Sequence, residues 1–275
     1  MNHSDPTTST PSKQQGIQSI EIGGAILRAL VASGRPAMLR DIARLSQMPP
    51  AKVHRYLVSF QRMGLVSQDL QSARYHLGPF ALTLGLSALA ALDPARLSVP
   101  ILEELCDEIG MGVGLAVWGS SGATIVRYID TGNVISVSLK VGRVLALHDS
   151  ATGRCFTAFG CNAVVQEALA AELKQVAAAT KTSVAELKKA QDKQNEKSRL
   201  YGIASAGGSN HIPGINGLSA PVFDHTGQMV AAITALGSAG VFKADPRSKE
   251  AAQVKAAAAK LSNLLGYNER AVDSA

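Results

Sequence analysis

The chain has 275 residues, 46% of them hydrophobic and 17% charged, with a formal net charge of +6. That length accommodates about two ordinary domains, each with its own core. An aromatic share of 4% argues against a single-strand binder that stacks bases on Phe, Tyr and Trp. No apolar run reaches the ~18 residues of a membrane span, and the polar start lacks the apolar stretch of a secretory leader, so a cytoplasmic protein without membrane partners is expected. Cys106, Cys155 and Cys161 are odd in number and form no CxxC pair, which favours reduced thiols over structural zinc or a disulfide framework.

The positive charge is concentrated. Between residues 13 and 76, Lys13, Arg28, Arg35, Arg40, Arg44, Lys52, Arg55, Arg62 and Arg74 stand against Glu21, Asp41 and Asp69, whereas the rest of the chain is nearly balanced. A basic segment of this kind is either the footprint of a polyanion partner or a solvated face.

In chain order, residues 1–15 are polar and read as a disordered tail. A helix follows from Ile17, weakened by Gly23-Gly24 and ended by Ser33-Gly34-Arg35-Pro36. A short helix is predicted over about 39–46, with Ile42, Ala43 and Leu45 on its apolar side. The turn Gln47-Met48-Pro49-Pro50 leads to another helix over about 50–63, where Val53, Leu57 and Phe60 form a core-facing stripe. At about 100° per residue, Ala51, Arg55, Val58 and Arg62 point the other way, flanked by Lys52 and Ser59. Leu65-Val66 and Tyr75-His76-Leu77 bracket a polar turn and make a hairpin. This is a winged helix-turn-helix, whose second helix presents its outward face to the major groove. Arg55 is the central base or phosphate contact, with Lys52 and Ser59 beside it; Arg40 at the start of the short helix and Arg74 in the wing suit phosphates or the minor groove. Tyr56, at the edge of the buried face, serves either core or phosphate.

Residues 79–92 are apolar all round. Such a helix must be buried, at a subunit interface or against its own chain. Asp93-Pro94 marks a boundary and opens a helix to about Gly110. Strands are predicted over about 113–117, 123–129 and 134–139, and a helix from Ala151. Helices cover 162–200 with a break at Lys181-Thr182, where Ser183 and Glu186 suggest a capping box. Strands return at about 201–206, 216–223 and 228–236, before a closing alanine-rich helix over 246–265. This order gives an α+β domain. The predicted layout is a tail over 1–15, a DNA-binding domain over 16–78, a linker helix over 79–93 and an α+β domain over 94–275.

Ala151-Thr152-Gly153 open a helix after a loop, where free N–H groups suit an anion and Gly153 admits a ligand closely, or where Ser150 or Asp149 simply caps the helix. Asn210, His211, Asn216 and Ser219 lie at strand ends where they can complete a pocket or bond their own backbone. Trp118 walls a cavity or packs in the core. No catalytic constellation is present: His148-Asp149-Ser150 are adjacent and cannot converge as a triad, Gly110, Gly112 and Gly114 follow a helix instead of a strand, and HExxH and GxSxG are missing. Neither a cofactor nor a metal is expected. The competing class is a metabolite-binding module or small-molecule enzyme whose N-terminal helices serve assembly.

Several segments resemble IclR-type transcriptional regulators: Gly16-Ile17-Gln18-Ser19-Ile20-Glu21, Val53-His54-Arg55-Tyr56-Leu57, Gly64-Leu65-Val66 and Tyr75-His76-Leu77-Gly78. The likeness continues through Val141-Gly142-Arg143, Leu147-His148, Ala151-Thr152-Gly153-Arg154 and Ala220-Pro221-Val222-Phe223-Asp224, in the same order over about 16–266. The resemblance implies a GAF-like effector domain, a homodimer or dimer of dimers on double-stranded operator DNA, and control by a small organic acid, aromatic acids included. Two places depart from the family. Its recognition helix usually opens with Ser-Thr, where this chain has Ala51-Lys52, so family rules for base choice do not carry over. Its second domain often has acidic residues where this chain has Ala206-Gly207-Gly208-Ser209-Asn210.

Overall fold

The computed structural model describes residues 16–132, 140–160, 162–207 and 213–268. The expected tail over 1–15, the expected strand over 134–139, and Asn210 and His211 lie outside these residues. The chain divides into two compact units, one ending at Ala91 and the other starting at Leu92.

In the first unit, α1 (Gln18–Ala32), α2 (Leu39–Ser46) and α3 (Pro50–Arg62) are followed by a hairpin of β1 (Val66–Gln68) and β2 (Tyr75–Leu77) and then α4 (Pro79–Ala90). The core is the predicted one in its essentials: Ile26 and Leu30 of α1, Ile42 and Ala43 of α2, and Val53 and Leu57 of α3 are buried together, with Phe60 packed at the margin. Leu45 departs from expectation and is exposed, because α2 has only eight residues and Ile42 and Ala43 already fill its contact with α1 and α3. Gly23, which costs α1 helix propensity, makes room for Phe60: a Cβ there would lie 2.9 Å from the ring's Cζ. The hairpin turn is wound around Asp69, whose carboxylate accepts from the N–H groups of Gln71 and Ser72 and from the Ser72 hydroxyl. The helix α4 buries none of its residues within the described chain; Phe80, Leu82, Leu84, Leu86 and Leu89 are exposed around it.

The second unit begins with α5 (Pro94–Leu97) and α6 (Val99–Ile109), where a single helix was predicted. The Asp93 carboxylate caps α5, accepting from Ala95 and Arg96, and Ser98 bonds back to Ala95 O at the break. After β3 (Gly112–Gly119) and β4 (Gly122–Ile129) come α7 (Ala151–Phe159), α8 (Ala163–Thr180), α9 (Val184–Tyr201), β5 (Ala204–Ala206), β6 (Ile215–Phe223), β7 (Met229–Ser238) and α10 (Lys249–Leu264). Ser183 caps α9 by accepting from Ala185 N–H. The five strands form one antiparallel sheet in the order β4-β3-β7-β6-β5.

Strand alternation divides the side chains between two faces. Val113 and Leu115 of β3, Ala231, Ile233 and Ala235 of β7, and Leu218, Ala220 and Val222 of β6 pack against α6 and α10. Ala116, Ala232 and Leu236 face the opposite way, toward Cys155 and Phe156 of α7 and Leu169 and Leu173 of α8. Both faces are therefore covered, and the whole is α+β.

Leu57 is fully buried in the smaller core. Leu57→Ala is expected to destabilise the first unit by about 2–5 kcal/mol, the cost of a buried leucine cavity. Urea unfolding followed by circular dichroism measures it, with the exposed Arg62→Ala as reference; equal midpoints for the two variants would place the core elsewhere.

Candidate nucleic-acid interface and effector site

With Val53 and Leu57 sealed against α1 and α2, the register of α3 obliges the opposite side to face out. There, Pro49, Ala51, Lys52, Arg55, Tyr56 and Ser59 wall an open concavity of about 580 Å³. Lys52, Arg55 and Ser59 are thus brought together on an exposed surface. The Ser59 hydroxyl bonds its own helix at Arg55 O, 3.3 Å away. Tyr56 serves both sides: it lines the concavity and its ring lies 6.4 Å from that of Phe60. Arg74 extends from the wing to Pro36 O at 3.1 Å, tying the hairpin to the turn between α1 and α2. Arg40 stands exposed with its Nε 4.0 Å from Asp41.

In the second unit, residues 142–145 run along the free edge of β4: Gly142 N–H donates to Ile125 O, Ile125 N–H to Arg143 O, and Leu145 N–H to Ala123 O. The chain then turns into α7, whose cap is Ser150; its Oγ accepts from Gly153 N–H at 2.9 Å and donates to Ala146 O at 2.6 Å. The space that Gly153 leaves open is taken by the protein's own backbone, since a Cβ there would lie 2.1 Å from Ala146 O. Ala151 approaches Gly217 in the same way, at 3.0 Å from where a Cβ would stand.

Thr152 and Ser219, predicted separately, meet through a third residue. Thr152 Oγ1 and Ser219 Oγ each lie 2.8 Å from Thr234 Oγ1, and all three are buried. The Cys155 thiol lies beside this chain; burial pushes its pKa up, opposed by a hydrogen bond with Ser219. Trp118 is half-buried, its ring 5.6 Å from that of Phe156. Asn216 is not part of this cluster: its Nδ2 donates to Phe242 O at 2.7 Å.

Thr234 and Glu172 were not singled out from the sequence as candidate site residues, and His148 and Arg154 stood within the segments that carry the resemblance. Thr234 had a signal, as the one polar residue in Ala231-Ala232-Ile233-Thr234-Ala235-Leu236. Glu172 of α8 accepts from Leu147 N–H (2.9 Å), His148 N–H (2.8 Å) and His148 Nδ1 (2.5 Å). His148 thus pairs across 24 residues instead of with Asp149 or Ser150. Arg154 Nε donates to His148 O at 2.9 Å and its Nη1 to Ser205 O at 2.8 Å, joining the loop to β5. Burial alone would raise the Glu172 carboxyl, but the hydrogen bonds from the His148 ring and the Leu147 and His148 N–H groups outweigh it and hold the pKa below its ordinary value.

The family model described as the IclR helix-turn-helix domain matches residues 19–70, and that for the C-terminal region of the bacterial transcriptional regulator IclR matches residues 86–263. The HTH-type transcriptional repressor AllR of Klebsiella pneumoniae is 26% identical over 272 residues, 97% of this chain and 96% of its own. The regulator KipR of Bacillus subtilis is 28% identical over 232 residues, 83% of this chain and 90% of its own. The crystal structure of Pseudomonas aeruginosa HmgR superposes with a TM-score of 0.83 at 33% identity, covering 92% of this chain and 100% of that one. AllR and KipR are HTH-type transcriptional regulators.

A carboxyl held below its ordinary 4.5 contributes stability above that pH and loses it as pH falls through the lower folded value. Glu172→Gln is therefore expected to lower the thermal midpoint of the second unit near neutral pH and to flatten its decline between about pH 5 and 3. Melts across that range measure both; a slope identical to that of the unaltered protein excludes the clamp.

Proposed function

The chain belongs to the IclR family of bacterial transcriptional regulators, and from that premise we propose that it is a ligand-responsive regulator of genes for the catabolism of a small organic acid, aromatic acids included. The observation that carries the DNA side is the outward concavity of α3, where Lys52, Arg55 and Ser59 converge on a helix whose other side is sealed in the core. Arg55 takes the central place, bidentate to a guanine or a phosphate. Lys52 and Ser59 flank it, and Arg40 and Arg74 hold phosphates on either side.

Residues 16–78 form the DNA-binding part, 79–93 the linker and 94–275 the effector part of a cytoplasmic homodimer or dimer of dimers. The exposed apolar girth of α4 supports assembly, because leucines on every side of a helix leave no face suited to water. The effector occupies the region at the start of α7, with Ala151, Thr152 and Ser219 at its floor and Trp118 as a wall; Asn210 and His211 are further candidate contacts from the sequence. Its binding shifts the paired DNA heads only in so far as it binds the two arrangements unequally.

Arg55→Ala is expected to weaken operator binding about 10–100-fold, the worth of one bidentate base contact. Lys52→Ala is expected to reduce the salt slope by about one, as loss of one phosphate contact does. Fluorescence anisotropy with the DNA upstream of the gene, at several KCl concentrations, measures both. Unchanged affinity for Arg55→Ala would refute the assigned face.

A further inference from the structure

A second cavity lies at the other end of α7 from Thr152. It measures about 340 Å³ and sits where β6 continues past the end of β5. Strand β5 pairs only with Gly217, Leu218 and Ser219, so Ala220 to Phe223 form an open sheet edge facing α10. That edge is closed to another strand. Pro221 has no N–H to offer, and Phe223 N–H is already bonded to Ser262 Oγ at 3.0 Å.

The walls combine two features. Phe159 at the end of α7, Phe223 on β6 and Tyr267 beyond α10 are in ring contact, with centroids 6.5 Å apart for the first pair and 5.2 Å for the second. Three clustered rings are notable in a chain only 4% aromatic. Beside them, Lys255 of α10 donates from Nζ to Tyr201 O at 3.2 Å, and an ammonium has three protons to give. Among the described residues lining the cavity there is no carboxylate to neutralise it.

We propose that this cavity is a second ligand site, separate from the effector site at the start of α7, for a small carboxylate bearing one aromatic ring. The volume is at the lower end of small-molecule pockets. The ring of the ligand lies among Phe159, Phe223 and Tyr267 in offset or edge contact, and its carboxylate accepts a charge-assisted hydrogen bond from Lys255 Nζ. The nine residues of α7 span about 13 Å at roughly 1.5 Å per residue. A ligand against Phe159 therefore contacts the same rigid, mostly buried helix that carries Thr152.

The test is a ¹⁹F NMR titration of the full-length protein with 4-fluorobenzoate, and with 4-fluorobenzamide as its uncharged counterpart. The expected result is saturable binding of the carboxylate, with the amide at least about tenfold weaker, as loss of a charge-assisted hydrogen bond requires. Lys255→Met is expected to weaken binding by a similar factor, Lys255→Arg to retain it, and Ala259→Trp, on the exposed side of α10, to block it sterically. Thr234→Val, in the hydroxyl chain of the effector region, should leave this binding in place. Thermal melts confirm that each variant folds; should Lys255→Met unfold, Ala259→Trp and the amide decide. Absence of saturable binding, equal binding of the amide, indifference to Ala259→Trp, or loss only with Thr234→Val would overturn the proposal. The readout involves no DNA, so its failure leaves the operator-binding reading untouched.

Discussion

Thr234 lies in the middle strand of a sheet covered by helices on both faces, where no solvent reaches its hydroxyl. A buried hydroxyl without a partner costs about 1–3 kcal/mol, so the fold must bring partners to it. Ser219 comes from the neighbouring strand β6, its register partner, and Thr152 comes from α7. The third neighbour, Gly114 of β3, contributes no side chain. Once Thr152 is fixed, α7 has to start against the sheet. That is possible only because Gly217 yields to Ala151 and Gly153 yields to Ala146 and Leu147. The loop before α7 is then held by hydrogen bonds to Glu172, Arg154 and Ser150. A polar requirement at one buried position thus sets the geometry of the region where the effector is proposed to bind.

The first unit is organised by sidedness. Val53 and Leu57 recur at the helical period and take one side of α3 into the core, and the same rotation per residue delivers Lys52, Arg55 and Ser59 outward. The wing has its own internal fastening. Asp69 gathers the turn, Gln68 Nε2 donates to Ala73 O, and Arg74 reaches Pro36 O, so the hairpin is anchored to the helical part by more than the chain itself. Ala73 adopts φ of 53° within this turn, a conformation that these surrounding hydrogen bonds support.

Features with a local signature were legible from the residues alone. The α3 stripe, the hairpin around Asp69 and the break at Lys181 each depend on neighbours within a few positions, and the order of helices and strands followed from them. The Glu172–His148 contact depends on a partner 24 residues away, which no periodicity encodes. Gly153 shows a different limit. A missing Cβ signals close approach without naming what approaches, and the approaching group is Ala146, not a ligand. Ser98 breaks the helix after Asp93 by bonding back to Ala95 O, a choice that a serine's sequence context leaves open. Thr234 was legible in principle, since one polar residue in an otherwise apolar strand must be paid for by a partner.

The apolar helix α4 carries the remaining constraint. Its leucines alternate around the helix instead of forming one stripe, so packing against a single flat surface cannot cover them all. Exposed patches of this kind persist in a stable protein only when another surface covers them. In the proposed homodimer a second copy would supply an identical helix, so that α4 of one protomer packs against α4 of its partner. In the proposed regulator, DNA affinity then depends on burial of α4, and any ligand-linked change in that burial is a change in operator binding.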